Sequence, residues 1–518
     1  MQALHINGNN LTLEDVRQLV YERRPVLLQP EARMAVEKAR AIVDDLVENE
    51  RVAYAVNTGV GHLADMRISR PDIQRLQVNL IRSHSVGVGE PLAEDVTRAM
   101  MLLRANSLAK GFSGVRPLII DTLCGMLNRG VHPVIPSQGS VGASGDLAPL
   151  AHLALGMIGE GDAVFEGKVM PAADAMKRAE IKPPVLEAKE AISLINGTQA
   201  MLAVGLLTVL QVEVLADTAD VVGALTLDAL KGTDVAFDER IHKARPHPGQ
   251  MLVAQNLRRL LEGSVIRESH LECQKVQDAY SMRCIPQVHG AVRDTLTHCR
   301  ATFEIEMNSA VDNPLVFPEE KKVGAPKRPV GAGVPGVILS GGNFHGQPLA
   351  FALDFLAIAL SALAGISERR LERLINPALN EGLPAFLAPG AGLNSGFMMP
   401  QVTAAALVNE NKVLSHPASS DSISTSGNKE DFVSMGMTAA NKLLRVVVNT
   451  RNVLAIEALA AAQAHDFRAP MKTSKRCQVA VDAVRAVSPP ITEDRVFATD
   501  FAKVAEVIAK GRLAAALK

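Results

Sequence analysis

Long stretches in which Ala, Leu, Val and Met recur at helical spacing constrain this chain more than any other feature. They run from about 196–230, 269–311, 344–374, 400–415 and 433–465, and the chain has no Trp and only 3% aromatic residues. Small apolar side chains let helix axes approach closely, so this composition predicts packed helices in a long central bundle. Helical spacing dominates from about residue 90 onward. Val96, Met100, Leu103 and Ser107 fall at i, i+4, i+7 and i+11 and predict one amphipathic helix, which Gly111 stops. Strand signals are few: Leu4 to Ile6, and Ala163 to Met170, where EGK resembles a hairpin turn. A Gly- and Pro-rich stretch, Val323 to Gly341, interrupts the helices and is long for an ordinary connection, a length usually tied to function or mobility. There is no internal repeat. The reading is therefore a mostly α fold with a long central helical bundle and a smaller mixed N-terminal region.

At 518 residues, with 47% hydrophobic and 21% charged, the chain can bury a large core. Lys plus Arg (54) nearly balance Asp plus Glu (55), so no strong field attracts nucleic acid or an anionic membrane, and a small, locally selected ligand is expected. Cys124, Cys273, Cys284, Cys299 and Cys477 are too sparse for a disulfide scaffold, and no pair has metal-binding C-x-x-C spacing. They read as reduced thiols of a cytoplasmic protein, and the opening MQALHINGNNLTLEDV lacks the basic start and apolar stretch of a secretory signal, so no export is expected. The uncharged runs Met201 to Val212 and Phe355 to Ile366 fall short of the roughly 20 residues of a spanning helix and read as buried helices.

The most informative run is Gly139-Ser140-Val141-Gly142-Ala143-Ser144-Gly145-Asp146-Leu147-Ala148-Pro149-Leu150. A phosphate loop would end in Gly-Lys-Ser/Thr, and no Lys is present. A nucleophile elbow would place Gly two positions after Ser144, where Asp146 stands. Two readings remain from the residues themselves. One is a flexible turn capped by Asp146 at a helix start. The other is covalent self-modification: the Gly145 amide attacks the Ala143 carbonyl, and water loss turns Ser144 into an exocyclic methylene. Ala143 and Gly145 put almost no bulk in the way of that close approach, Ser144 carries the hydroxyl to be eliminated, and Asp146 could move a proton or orient the loop.

The run GSVGASGDLAPLAHLAL resembles the signature of the histidine and aromatic amino acid ammonia-lyases and the related aminomutases. The resemblance continues in family order through YAVNTGVG (54–61), NLIRSHSVGVGE (79–90), INGTQA (195–200), QDAYSMRCIPQVHG (277–290), DNPL (312–315), GGNFHG (341–346), NSGFMMPQVTAAAL (394–407) and TSGNKEDFVSMG (425–436). It implies a fumarase/aspartase-like helical architecture in one ammonia-lyase unit over 1–518, with an N-terminal region over 1–195 that carries the base Tyr54 and the Gly-rich loop and a central helical bundle with a C-terminal helical layer over 196–518, and a homotetramer with shared active sites. The cofactor it implies is a 4-methylidene-imidazol-5-one ring (MIO) formed from Ala143, Ser144 and Gly145, with no metal. It also implies that helix N-termini converge on that ring, where their dipoles would make the methylene more electrophilic.

Further roles follow from the same resemblance. The substrate amine adds to the methylene of Ser144, Tyr54 takes the β-proton, and Arg283 holds the carboxylate with a bidentate contact. Tyr280, three residues before Arg283, shares its face if helical, and Gln277 adds a polar group about one turn earlier. Asn196 binds near the ring carbonyl or the substrate, while Phe344 and Met398 line the cavity. Ser83, His84 and Glu430 set the substrate: a carboxylate beside an imidazole can accept its N–H, whereas a phenyl ring would leave Glu430 poorly satisfied. The expectation is L-histidine to trans-urocanate and ammonia. Phenylalanine or tyrosine ammonia-lyase, a 2,3-aminomutase and a non-catalytic helical binding protein are the alternatives. Ala55, Val60, Lys429 and Phe432 depart from the usual pattern, and Val60 and Phe432 bear on the substrate rather than on the class of reaction.

Overall fold

The computed structural model describes residues 1–53, 55–59, 65–273, 275–318 and 334–518. The chain forms two compact units, one of residues 1–207, 301–353 and 417–441, the other of 208–300, 354–416 and 442–518. The division falls inside four long helices: Gln199–Ala229, Ile285–Glu306, Gln347–Ile375 and Gly436–Phe467.

In the first unit, helices also form well before residue 90, mixed with strands. Leu13–Tyr21 starts on a capping box in which Thr12 and Asp15 satisfy each other's backbone N–H groups, and Pro30–Glu48 starts on a Pro, which has no N–H in need of an acceptor. Both alternate with short strands, Leu4–Ile6 and Val26–Leu28, which pair in parallel from Leu4↔Val26. Strands Asp162–Phe165 and Lys168–Pro171 form the expected hairpin, turning through Glu166 and Gly167, both at positive φ. Strand Gly336–Leu339 pairs antiparallel with Leu315–Pro318, so part of the stretch read as a loop is a strand. Residues 323–333 of that stretch, with Tyr54 and Val60, lie outside the described residues.

Helix Glu94–Ala109 is not amphipathic in its surroundings: every residue from Val96 to Ala109 is buried. The period in its apolar residues is real, but its polar residues face partners instead of solvent. Arg98 donates to the carbonyls of Leu19 and Leu127, and Asn106 to that of Met307. Helix Ile73–His84 and helix Glu190–Ile195 pack beside helix Leu147–Met157 and complete the scaffold that carries the Gly-rich loop.

The second unit is helical throughout its regular structure. The stretch 269–311 is not one helix: regular structure begins at Tyr280–Arg283 and continues as Ile285–Glu306. Helices Met398–Leu414, Lys475–Arg485 and Phe497–Ala509 add further layers. Close packing through small residues is direct where Pro248–Leu261 crosses Ile285–Glu306: a Cβ on Gly249 would lie 2.2 Å from the Gly290 carbonyl oxygen. A buried polar network links this unit's helices. Arg370 and Glu457 pair through two hydrogen bonds of 2.6 and 2.9 Å, and the Thr226 and Ser367 hydroxyls donate to the same carboxylate. His289 bonds Asp220, which also accepts from Asn256 and Arg293. Both buried carboxylates are thereby paired with a cation and hydrogen-bonded, as burial requires.

The uncharged runs Met201 to Val212 and Phe355 to Ile366 lie inside the two long helices expected over 196–230 and 344–374. Gln199–Ala229 has 31 residues and Gln347–Ile375 has 29, and both are long and apolar enough to cross a membrane. Within the chain 78% and 61% of their most apolar windows are buried, the pattern of core helices.

Candidate active site

The first unit gathers the Gly-rich loop, the turn after helix Glu190–Ile195 and the segment 425–436. Four helices, Leu147–Met157, Gln199–Ala229, Gln347–Ile375 and Gly436–Phe467, begin around them. A Cβ on Gly142 would sit 2.1 Å from Ser434 Oγ and 3.5 Å from the Gly436 nitrogen, while Cβ atoms on Gly346 and Gly436 would each press on Met201 Sδ, at 2.6 and 2.5 Å. These glycines are what let four helix starts approach one loop. Each start brings backbone N–H groups and the positive end of a helix dipole.

Gly145 has φ +74°, and a Cβ there would stand 2.2 Å from the Gly197 carbonyl oxygen. Only Gly fits. Its neighbour Asp146 donates its own N–H to that same Gly197 carbonyl at 2.7 Å. Asn196, 3% exposed, donates from Nδ2 to the Ser144 carbonyl oxygen at 2.7 Å. The Asn196 Oδ1 is buried without a partner among the described residues, so a polar group is wanted beside the loop. Ser144 Oγ donates to Glu430 Oε1 at 3.0 Å. Glu430 is itself held at Oε2 by the hydroxyls of Thr425, 2.8 Å, and Ser426, 2.7 Å.

Asp146 occupies the cap position of helix Leu147–Met157 but does not cap it. Its Oδ2 instead accepts the N–H groups of Ala200 and Met201, both at 2.9 Å, at the start of a different helix, and Oδ1 accepts from Ser140 at 3.2 Å. The turn-cap reading of this residue is thus corrected: the carboxylate ties two helix starts together. Complete burial pushes its pKa up to about 6, against the opposing pull of the Met201, Ser140 and Ala200 hydrogen bonds and the Arg104 charge. Because the folded pKa lies above the unfolded one, the folded chain binds the extra proton, and stability contributed by that proton is lost as pH rises from about 4 to 6. A shift of roughly two pH units corresponds to about 3 kcal/mol. Denaturation midpoints at pH 4, 5, 6 and 7 are expected to fall relative to an Asp146→Asn variant by about that amount. Parallel curves for the two proteins would refute the assignment.

Arg104 was missed by the sequence reading. It is fully buried, donating to the carbonyl oxygens of Ser193 at 2.5 Å and Asn196 at 2.9 Å and to Gln199 Oε1, so one guanidinium spans the whole turn that presents Asn196. Burial lowers its pKa to about 10, partly offset by the charges of Asp312 and Asp146. The only signal available was a charge inside the apolar run AMMLLRANSLA (99–109).

His84 is half-buried and bonded through Nδ1 to the Leu80 carbonyl at 2.8 Å, with Ser83 Oγ 3.1 Å from the same nitrogen. Burial lowers its pKa, the Leu80 hydrogen bond and the negative charge of Glu430 oppose that, and so imidazole and carboxylate sense one another. Phe344 is partly buried in the turn before helix Gln347–Ile375, and beside it His345 stacks on Phe432 at 6.1 Å. Phe432 is 63% exposed, and Lys429 is exposed on the outer side of its turn.

In the second unit the Arg283 guanidinium lies 4.4 Å from the centre of the Tyr280 ring, so the two share a face as expected. Gln277 precedes the helix in irregular chain and is exposed, so it is not one helical turn earlier. The Arg283 Nε is buried without a partner among the described residues. Met398 is the first residue of helix Met398–Leu414 and 40% exposed.

Comparison with known proteins agrees with this geometry. The aromatic amino acid lyase family matches residues 11–486. Histidine ammonia-lyase of Koribacter versatilis (strain Ellin345) is 72% identical over 518 residues, covering 100% of both chains. The crystal structure of histidine ammonia-lyase from Trypanosoma cruzi superposes with a TM-score of 0.90 at 42% identity, covering 100% of this chain and 95% of that one. Tyrosine aminomutase from Streptomyces globisporus gives a TM-score of 0.91 at 40% identity, covering 99% and 98%. With a closely packed Ala-Ser-Gly loop at the meeting of four helix starts and relatives matched over their full length, the chain belongs to the aromatic amino acid lyase family.

Proposed function

We propose that this protein is a histidine ammonia-lyase that converts L-histidine to trans-urocanate and ammonia, using an MIO ring formed from Ala143, Ser144 and Gly145. The observation that carries the reading is the loop itself. Gly145 is pressed against Gly197, the Ser144 carbonyl is held by Asn196, and the Ser144 hydroxyl is held by Glu430. These contacts hold the tripeptide in place from both sides, which favours a backbone cyclisation that needs two of its groups kept close together. The ring, once formed, supplies an electrophile that makes the substrate amine a better leaving group.

This chain's residues then bind and move protons. Arg283 grips the substrate carboxylate, with Tyr280, Gln277, Phe344 and Met398 around the substrate and Tyr54 as the base for the β-proton. Helix starts at Leu147, Gln199, Gln347 and Gly436 favour the negative charge that develops beside them. Glu430 and His84, with Ser83 behind the imidazole, favour a substrate imidazole over a phenyl ring. The names of the relatives from Koribacter versatilis and Trypanosoma cruzi support the same choice.

The working form is a cytoplasmic homotetramer with shared active sites. Exposed apolar residues on the long helices of the second unit support association: Ile358, Met399, Val402, Val413 and Val448 are between 43% and 68% exposed. All five cysteines are free thiols, which suits a reducing compartment.

A second reading, action on an aromatic amino acid or by aminomutase chemistry, draws on Phe432 beside His345 and on the likeness to tyrosine aminomutase. An ultraviolet assay of the purified protein with L-histidine, L-phenylalanine and L-tyrosine separates them. Conjugated product and ammonia from histidine alone are expected. Turnover of phenylalanine or tyrosine in its place would move the substrate, and a β-amino acid without ammonia would establish the aminomutase.

A further inference from the structure

We infer that Glu430 has a second, earlier role as the acid that completes formation of the ring by protonating the departing Ser144 hydroxyl. The inference rests on the ring reading above and concerns the chain before the ring exists, the state in which Ser144 still carries its hydroxyl. In that state Glu430 Oε1 is 3.0 Å from Ser144 Oγ. The other carboxyl group beside the loop is committed elsewhere: Asp146 spends Oδ2 on the Ala200 and Met201 N–H groups and Oδ1 on Ser140. Glu430 is held in position for proton transfer. Its Oε2 takes the Thr425 and Ser426 hydroxyls, and its backbone pairs with Thr425, so Oε1 is the oxygen turned to Ser144.

Ring formation removes two waters. In the first, the Gly145 nitrogen bonds to the Ala143 carbonyl carbon. The Ala143 oxygen leaves with the hydrogens of the Gly145 and Ser144 nitrogens, and a carbon–nitrogen double bond forms between Ala143 C and Ser144 N. In the second, the Ser144 Cα proton passes to solvent and its electron pair becomes the Cα=Cβ bond as Cβ–Oγ breaks. The hydroxyl, a poor leaving group as hydroxide, takes the proton of a Glu430 carboxyl that has first been protonated from solvent, so that Oε1 donates to Ser144 Oγ, and departs as water; Glu430 is left as the carboxylate, and the Cα proton released to solvent balances the one taken up. General acid assistance of this kind typically contributes about 100-fold or more. Loss of Oγ also releases Oε1 from its partner. The same oxygen is then available to a substrate N–H, so one carboxyl group serves both maturation and substrate recognition.

Intact-mass spectrometry of the freshly purified full chain tests this, with elution volume and circular dichroism confirming that each variant is folded. The unaltered chain is expected to be about 36 Da light, two waters short. Glu430→Gln keeps the size of the side chain but not the acid. It is expected to accumulate a species about 18 Da light, cyclised but not dehydrated, with the second water lost about 100-fold more slowly. Glu430→Asp retains an acid at shorter reach and is expected to lose both waters, slowly. Glu430→Gln losing both waters at the unaltered rate would overturn the inference, and so would a Glu430→Gln chain retaining both, because the residue would then serve the shape of the loop. An unaltered chain retaining both waters would overturn the ring itself.

Discussion

Ser144→Ala is expected to abolish the 36 Da deficit and to lower ammonia release about 10,000-fold or more while leaving the protein folded. A 10,000-fold loss corresponds to about 5.5 kcal/mol of barrier. Effects this large are confined to groups that change the chemical route, and Ser144 carries the only hydroxyl that can become the exocyclic methylene. Without that electrophile the amine must depart unactivated. The effect on stability should be far smaller. Alanine at 144 forfeits one hydrogen bond to Glu430 on a partly buried side chain, worth about 1 kcal/mol. The Asn196 hydrogen bond to the residue 144 carbonyl is a backbone contact and survives. The assay is ultraviolet detection of the conjugated product, paired with a denaturation curve. An alanine variant that keeps more than a few per cent of the activity would refute the ring, whatever its mass.

Arg104→Met is expected to lower stability by about 2–4 kcal/mol and to leave most of the chain without the ring. Two terms oppose each other. Removing a fully buried guanidinium relieves its desolvation, which shows in a pKa lowered to about 10 and amounts to roughly 3 kcal/mol. Against that, the Ser193 and Asn196 carbonyls and Gln199 Oε1 all lose their donor inside the protein, at about 1–3 kcal/mol each, and nearby Asp146 loses a compensating positive charge. The second term wins. Its consequence for chemistry is larger than its stability cost, because the 193–199 turn presents both Asn196 and the Gly197 carbonyl to the loop. Arg104→Lys keeps the charge but cannot reach three acceptors with one ammonium, so it should recover stability better than ring formation. The checks are denaturant midpoints and the fraction of chain about 36 Da light. Full ring formation in Arg104→Met would show that the turn holds itself.

Helices at the long apolar runs could be read from spacing, because a period near 3.6 follows from the backbone. Their ends moved by a few residues at most for Gln199–Ala229, Gln347–Ile375, Met398–Leu414 and Gly436–Phe467. The stretch 269–311 misled because its polar first part, 269–279, was absorbed into a pattern that begins only at Tyr280. The early helices escaped because caps, such as Thr12 with Asp15, and not long apolar runs, define them. Glu94–Ala109 shows the limit of periodicity. Its apolar residues repeat as a surface helix's do, yet it is buried on every side because its arginines and asparagine find carbonyl partners far away in sequence.

By itself the sequence determined the local chemistry: which tripeptide lacks bulk, which residue carries a removable hydroxyl, and where helices run. Tertiary structure decided what those groups do to one another. Asp146 precedes its own helix in sequence but binds the start of another, and Glu430 reaches Ser144 across 286 positions. Arg104, an interruption of an apolar run in one dimension, becomes the clamp on the Asn196 turn in three. The physical reason is that spacing along a chain encodes only local geometry, whereas hydrogen bonds and desolvation depend on neighbours that packing alone brings within about 3 Å.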